Sequence, residues 1–169
     1  NFMHGNPNFA ISIAAEINNR LEAAIVYSPI TDEMFAAERG KGSFLNDKRI
    51  RVATRKKLSD SILITGIPHL GRGNKELFLK EMDIIIPEVA GIRRSGSAAL
   101  DLAWIAAGRY DIFWERGLSI WDIAAGILLV REAGGFAKGI DGSDKDLWNG
   151  NIISGNDDII LALSEKLSF

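Results

Sequence analysis

The chain has 169 residues, 47% of them hydrophobic, and its 20 Lys and Arg nearly balance its 22 Asp and Glu, for a net charge of -2. This balance gives no electrostatic case for nucleic acid or an anionic membrane as the main partner. The absence of cysteine excludes disulfides and thiolate metal sites, and the apolar runs are too short to span a bilayer. We therefore expect a globular, cytoplasmic protein that binds a small molecule.

The first 58 residues are predicted to form short strands. Apolar residues alternate from Phe9 to Ile17, which is the period of a half-buried strand, and Asn18-Asn19 then favours a turn. Two further strands are predicted at Leu21 to Tyr27 and at Glu33 to Glu38. Because the turns between these strands are short, the sheet is predicted to be antiparallel.

The pattern changes after about residue 58. Ile62 to Ile67 is an apolar run, Lys75 to Ile86 has helical spacing, and strand-like and helical segments alternate to the end. We therefore predict two layers of different type, joined at a packed junction near Ser59. Residues 1–58 would belong to an antiparallel-sheet α+β layer and residues 59–169 to an α/β layer.

Two carboxylates are predicted to meet at one turn. A strand that carries Glu115 turns through Gly117 into a helix that Ser119 can cap and whose first turn holds Asp122. The free N–H groups of a helix start can hold a carboxylate ionised and oriented towards a metal ion or a hydroxyl group. Structural interpretations stay open on spacing alone, since Ser119 and Asp122 are close to a capping box and Glu115 could be a solvated acid at a strand end.

A second candidate site lies at the start of the preceding helix. Small residues follow Arg93-Arg94, and Ser95 to Ser97 can cap a helix that is predicted to run to about Ala107. Such residues let a ligand approach backbone amides, although most strand-to-helix junctions are merely capped helices. Asp101 lies inside this helix, and we predict a structural partnership with Arg93 or Arg94 rather than a catalytic role.

Several segments resemble the inositol monophosphatase family. The stretch Trp121-Asp122-Ile123-Ala124-Ala125-Gly126, continued by Glu132-Ala133-Gly134-Gly135, closely resembles the family's second signature, in which the aspartate binds metal. The family's substrate-side segment, particularly in bacterial members, is similar to residues 96–103, 108–111 and 114–115, and residues 40–46 also match the family pattern. The resemblance covers essentially the whole chain.

This resemblance implies a magnesium-dependent phosphomonoesterase that hydrolyses inositol monophosphate to inositol and phosphate. It implies the layered αβαβα sandwich of inositol monophosphatases and fructose-1,6-bisphosphatases, and usually a homodimer. Asp122 would bind Mg²⁺ and meet a hydroxyl next to the scissile phosphate, and Glu115 would accept hydrogen bonds from substrate hydroxyls. Gly96, Ser97 and Ala98 would line the polyol pocket largely through their backbone.

The resemblance also implies that part of the family's chain precedes Asn1. Residues 1–5 resemble the segment immediately after the family's first metal-binding signature, Asp-Pro-x-Asp-Gly-Thr, and these 169 residues contain neither that signature nor the Glu-Glu pair expected before it. We therefore expect the other metal ligands upstream of Asn1, on the same polypeptide or on a separate chain. An exposed apolar surface is expected where those elements pack.

Two alternatives stay open. A sister phosphatase acting on fructose 1,6-bisphosphate, a nucleotide 3′-phosphate or histidinol phosphate would share the chemistry and differ in its pocket, near the segment Thr65 to Asn74. A regulatory role is the second alternative, because some bacterial relatives contact the transcription machinery. The near-neutral charge neither supports nor excludes that role.

Overall fold

The computed structural model describes residues 1–71 and 73–167, and these residues form two five-stranded sheets and five α-helices. Arg72, in the segment from Thr65 to Asn74, lies outside the described residues. In the part of the chain that is described, no helix is long and apolar enough to cross a membrane.

Sheet 1 is an antiparallel meander in which each strand pairs with the next. Its strands are β1 (Ile11–Ile17), β2 (Arg20–Ser28), β3 (Glu33–Glu38), β4 (Gly42–Leu45) and β5 (Lys48–Arg49). Strands β1, β2 and β3 lie within two residues of the predicted ends. Asn18 and Asn19 both have positive φ, 52° and 58°, as a two-residue turn between strands of right-handed twist requires. The antiparallel prediction is confirmed.

Sheet 2 is mixed. Its strands, in the order β7-β6-β8-β10-β9, are β6 (Ile62–Thr65), β7 (Gly91–Arg93), β8 (Ile112–Glu115), β9 (Phe136–Lys138) and β10 (Ile152–Gly155). Strand β6 runs parallel to β7 and β8, whereas β10 runs antiparallel to β8 and β9. The helices are α1 (Lys75–Ile85), α2 (Ala98–Ala106), α3 (Ile120–Glu132), α4 (Asp144–Trp148) and α5 (Asp157–Leu167).

Helices α2 and α3 lie between the two sheets. Helix α3 packs on β1 to β4, α2 reaches β6, β8 and β10, and α1 and α5 pack together, with α5 contacting β10. A middle layer must be apolar on every side, and α3 is buried continuously from Ile123 to Val130. Gly126 permits the close approach of α2, since a Cβ there would lie 2.4 Å from Leu102 Cβ. The described residues thus form four consecutive layers of the predicted αβαβα sandwich.

The two faces of sheet 1 differ. Val26 and Phe35 are completely buried on the face that packs against α3. On the opposite face Ile11, Ile13 and Met34 are 53%, 56% and 44% exposed. The outer face of sheet 1 is therefore apolar and open to solvent. The division of the chain at residue 58 stays a prediction, because α2 and α3 share a core with both sheets.

Candidate functional site

The candidate site forms at one edge of sheet 2, where two parallel strands end side by side. Thr65, the last residue of β6, pairs with Trp114 of β8, and the Thr65 hydroxyl donates a hydrogen bond to the Trp114 carbonyl oxygen (2.6 Å). Because the carboxyl ends of parallel strands meet at the same sheet edge, Gly66 and Glu115 become neighbours across the sheet.

Two adjoining cavities open at this edge. A smaller one, of about 380 Å³, lies between residues 65–69, α1 and the turn after β8. A larger one, of about 460 Å³, lies between the starts of α2 and α3 and the beginning of β1. Glu115 and Asp122 line both cavities.

The larger cavity brings the predicted site residues together. Its walls include Glu115 and Asp122 as well as Gly96, Ser97 and Ala98. Other residues for which no site role was predicted also line this cavity, among them Arg94 and Trp121, and Trp121 is 70% exposed. Which of these residues bind substrate stays a prediction.

Asp122 lies in the first turn of α3 and is half-buried. The backbone N–H of Ser119 donates a hydrogen bond to its Oδ2 atom (3.2 Å), which is one half of a capping box. The same carboxylate also lines the cavity. Capping and ligand binding are therefore compatible at this position rather than exclusive.

Glu115 is the last residue of β8 and is also half-buried. Burial raises the pKa of its carboxyl to about 7, and the nearby negative charge of Asp122 acts in the same direction. The positive charge of Arg94 and the nearby backbone N–H of Gly66 act to lower this pKa. Glu115 can thus both accept and donate hydrogen bonds near neutral pH.

The start of α2 is held by Ser95. Its hydroxyl accepts a hydrogen bond from the Ser97 N–H (3.1 Å) and donates one to Asp101 Oδ1, while Gly96 takes a φ of 88° between them. The side-chain amide of Asn1 donates to the carbonyl oxygens of Ser95 (3.3 Å) and Gly96 (3.2 Å). These bonds orient the backbone that faces the larger cavity.

The hydrogen-bond partner of Asp101 is Ser95, and of the two predicted arginines only Arg94 acts on it, through its charge. Asp101 is 1% exposed and its carboxyl bonds to Ser95. Arg93 instead donates to the carbonyl oxygen of Ile92. Burial raises the pKa of Asp101 to about 7, against the opposing Ser95 hydrogen bond. Helical spacing predicted that Asp101 lies inside a helix, but it did not predict the direction in which the side chain points.

The sequence did not predict the contact between Gly66 and Glu115. A Cβ on Gly66 would lie 2.0 Å from Glu115 Oε1, so the carboxylate occupies the space that a side chain at position 66 would take. The sequence shows only a glycine after a buried strand, and nothing in it indicates that the neighbouring strand is β8.

The described residues do not by themselves fit a magnesium site. Among residues 1–71 and 73–167 no group of three or more His, Cys, Asp or Glu side chains is placed to hold a metal ion. Mg²⁺ prefers near-octahedral oxygen coordination. Asp122 and Glu115 could supply part of such a set, and further ligands would have to come from elsewhere.

Comparison with known proteins identifies the family. The model of the inositol monophosphatase family matches residues 1–168. An inositol-1-monophosphatase of Rhizobium meliloti is 56% identical over 167 residues, which are 99% of this chain and 63% of that protein. The Nus factor SuhB of Pseudomonas aeruginosa is 48% identical over 165 residues, 96% of this chain and 61% of that protein.

Solved structures agree with this match. The extragenic suppressor protein suhB of Bartonella henselae superposes with a TM-score of 0.95 at 50% identity, over 99% of this chain and 64% of that one. The inositol monophosphatase of Anabaena gives a TM-score of 0.92 at 38% identity, over 98% of this chain and 66% of that one. The chain thus spans about 63% of the length of the Rhizobium relative. By its fold and its sequence, the chain belongs to the inositol monophosphatase family.

Proposed function

We propose that the chain is the substrate-side part of a magnesium-dependent phosphomonoesterase that hydrolyses inositol monophosphate to inositol and phosphate. The observation that supports this proposal most is the shared cavity of Glu115, Asp122 and the start of α2. Relatives named inositol-1-monophosphatase at 47% to 56% identity support the same reaction class.

Each residue has a proposed task. Asp122 is proposed as one magnesium ligand that also orients a substrate hydroxyl, with the remaining ligands supplied from outside this chain. Glu115 is proposed to accept hydrogen bonds from ring hydroxyls. Gly96, Ser97 and Ala98 are proposed to line the polyol pocket with backbone groups, which suits a ligand rich in hydroxyls because backbone N–H and C=O groups can both pair with it.

A substrate panel tests the reaction. The protein to use is the full-length enzyme, meaning this chain together with the segment that completes it in its relatives. We expect its kcat/KM to be highest for inositol 1-phosphate, and the activity to require Mg²⁺ and to disappear in EDTA. Higher kcat/KM for fructose 1,6-bisphosphate, a nucleotide 3′-phosphate or histidinol phosphate would instead assign the chain to a sister phosphatase.

A second candidate function is a regulatory interaction with the transcription machinery. It is supported by the relatives named Nus factor SuhB, at 45% to 48% identity. Pull-down of transcription proteins by the full-length protein, unchanged by Asp122→Asn, would support a role independent of hydrolysis. Loss of that capture in the variant would count against such independence.

We further propose a cytoplasmic homodimer, as the family resemblance implies. Sedimentation velocity of the full-length enzyme measures the oligomeric state, and a monomer at micromolar concentration would contradict this part of the proposal.

A further inference from the structure

The position of the Glu115 carboxylate depends on the fact that residue 66 is a glycine and has no side chain. Gly66 follows β6 directly, and the pairing of Thr65 with Trp114 places Gly66 beside Glu115. A Cβ on Gly66 would lie 2.0 Å from Oε1, 2.2 Å from Cδ and 2.6 Å from Oε2 of Glu115. All three distances are far below van der Waals contact, so Glu115 cannot keep this position beside any other residue.

The backbone at this position does not itself require glycine. Gly66 is not among the residues with positive φ, unlike Gly96 or Gly117, so an alanine could adopt its conformation without backbone strain. The tightest contacts that a side chain here would make therefore come from Glu115 and not from the backbone conformation.

Gly66 also acts on the charge of the carboxylate. Its backbone N–H lies close enough to lower the pKa of Glu115 and so favours the ionised form. The carboxylate lies against the end of β6, on the cavity wall that it shares with Asp122.

We infer that Gly66 is a positioning residue that seats the Glu115 carboxylate for hydrogen bonding to substrate hydroxyls. This inference rests on the proposed function, in which Glu115 is the hydroxyl acceptor. A side chain at position 66 pushes the carboxylate away from the end of β6 and towards the open space of the two cavities that it lines. The cost falls on substrate binding rather than on folding, because the displaced atoms are the end of a flexible side chain that borders open space.

The test compares two glycine substitutions in sheet 2 of the full-length enzyme. Gly66→Ala is expected to raise KM for inositol 1-phosphate about tenfold, with a smaller change in kcat, as loss of substrate binding does. Gly91→Ala is the matched control. It lies in the adjacent strand β7, also lacks positive φ, and its Cβ would meet only the tip of the Arg93 side chain, at 3.0 Å. We expect its KM to stay within twofold of wild type.

A double variant distinguishes positioning from general damage. Aspartate is one methylene shorter than glutamate, so Glu115→Asp withdraws the carboxylate from the new methyl group. Glu115→Asp should therefore raise KM by a smaller factor in the Gly66→Ala background than in the wild-type background. The two factors should differ by at least about threefold. Independent, multiplicative effects would overturn the inference. If Gly66→Ala alone fails to fold, recovery of folding in the double variant supports it and failure to recover overturns it.

A crystal structure of the Gly66→Ala enzyme separates this inference from the proposed function. A Glu115 carboxylate displaced by more than about 1 Å supports the positioning role even if no panel substrate is hydrolysed. An unmoved carboxylate with a shifted β6 overturns it. Absence of phosphatase activity in the wild-type enzyme would overturn only the proposed function.

Discussion

The starts of α2 and α3 use the same residue types and place their acids differently. Each helix follows a serine N-cap and carries an aspartate near its first turn. Asp122 is the third residue of α3, accepts the Ser119 N–H and lines the open cavity. Asp101 is the fourth residue of α2, is 1% exposed and pairs with Ser95.

A difference of one position explains the contrast. Successive residues of an α-helix point about 100° apart, since a turn holds 3.6 residues. The third position of a helix faces back towards the N-cap, where the backbone N–H is available. At the fourth position the side chain of Asp101 instead accepts from Ser95, two residues before the N-cap, and is 1% exposed although it borders the larger cavity. Two similar sequence patterns thus give one half-buried acid that caps its own helix and one almost fully buried acid that is bonded to the preceding loop.

The largest expected effect concerns metal binding by these 169 residues alone. Since Asp101 is tied to Ser95 and burial favours the neutral form of Glu115, Asp122 is the one acid of the three free to bind a cation strongly. Isothermal titration of the bare chain with Mg²⁺ should therefore show no binding tighter than about 1 mM, and phosphatase activity should be negligible. Micromolar binding of Mg²⁺ to the bare chain would show that Asp122 is not the one acid of the three that binds a cation.

The next effect is a pH dependence of stability that comes from Asp101. Burial raises its pKa in the folded state to about 7, above its ordinary value of 3.8. The folded protein then holds this proton while the unfolded chain releases it, so stability is lost as pH rises from about 4 to 7. The loss is at most about 4 kcal/mol, from 1.36 kcal/mol for each pKa unit. Asp101→Asn keeps the oxygen that accepts from Ser95 and removes this loss.

Urea unfolding of the full-length enzyme at pH 5, 6, 7 and 8 in EDTA measures this effect. The free energy of unfolding of Asp101→Asn should rise relative to wild type up to about pH 7 and then level off. Asp158→Asn, which removes an exposed acid paired with Lys56, is the control and should show no comparable trend. A difference between Asp101→Asn and wild type that stays constant over this pH range would contradict the raised pKa of Asp101.

The smallest effect compares the two serines. Ser95→Ala removes the hydroxyl that joins the Ser97 N–H to buried Asp101, and should cost about 1–3 kcal/mol of unfolding free energy. Ser119→Ala keeps the backbone N–H that Asp122 accepts, and should cost about 1 kcal/mol or less. Urea unfolding of both variants at pH 7 gives the two values. Equal costs would remove the proposed difference between the helix starts.

Local patterns predicted the local parts of this fold. Alternating apolar residues located β1, the asparagine pair located its turn, and helix-start residues located α2 and α3 within a few positions. The meeting of Glu115 with Asp122 was predicted because one short turn joins them. These features depend on residues close together in the chain.

The remaining features depend on long-range pairing. The order β7-β6-β8-β10-β9 cannot be read from any one segment, and the contact between Gly66 and Glu115 follows from that order. The Ser95 partner of Asp101 depends on which side of α2 faces the protein interior, and two adjacent arginines made a charged pair the simpler prediction. Sequence thus located the acids but not their surroundings.

The most direct test of the account is Asp122→Asn in the full-length enzyme, assayed for magnesium-dependent hydrolysis of inositol 1-phosphate beside thermal unfolding. Asparagine keeps an oxygen that can accept the Ser119 N–H, so the melting temperature should change by no more than about 3 °C. Loss of the negative charge should lower kcat/KM at least about 10³-fold, as expected when charge stabilisation worth several kcal/mol is removed. A variant that melts like wild type and remains fully active would contradict the account and leave Asp122 as a helix cap.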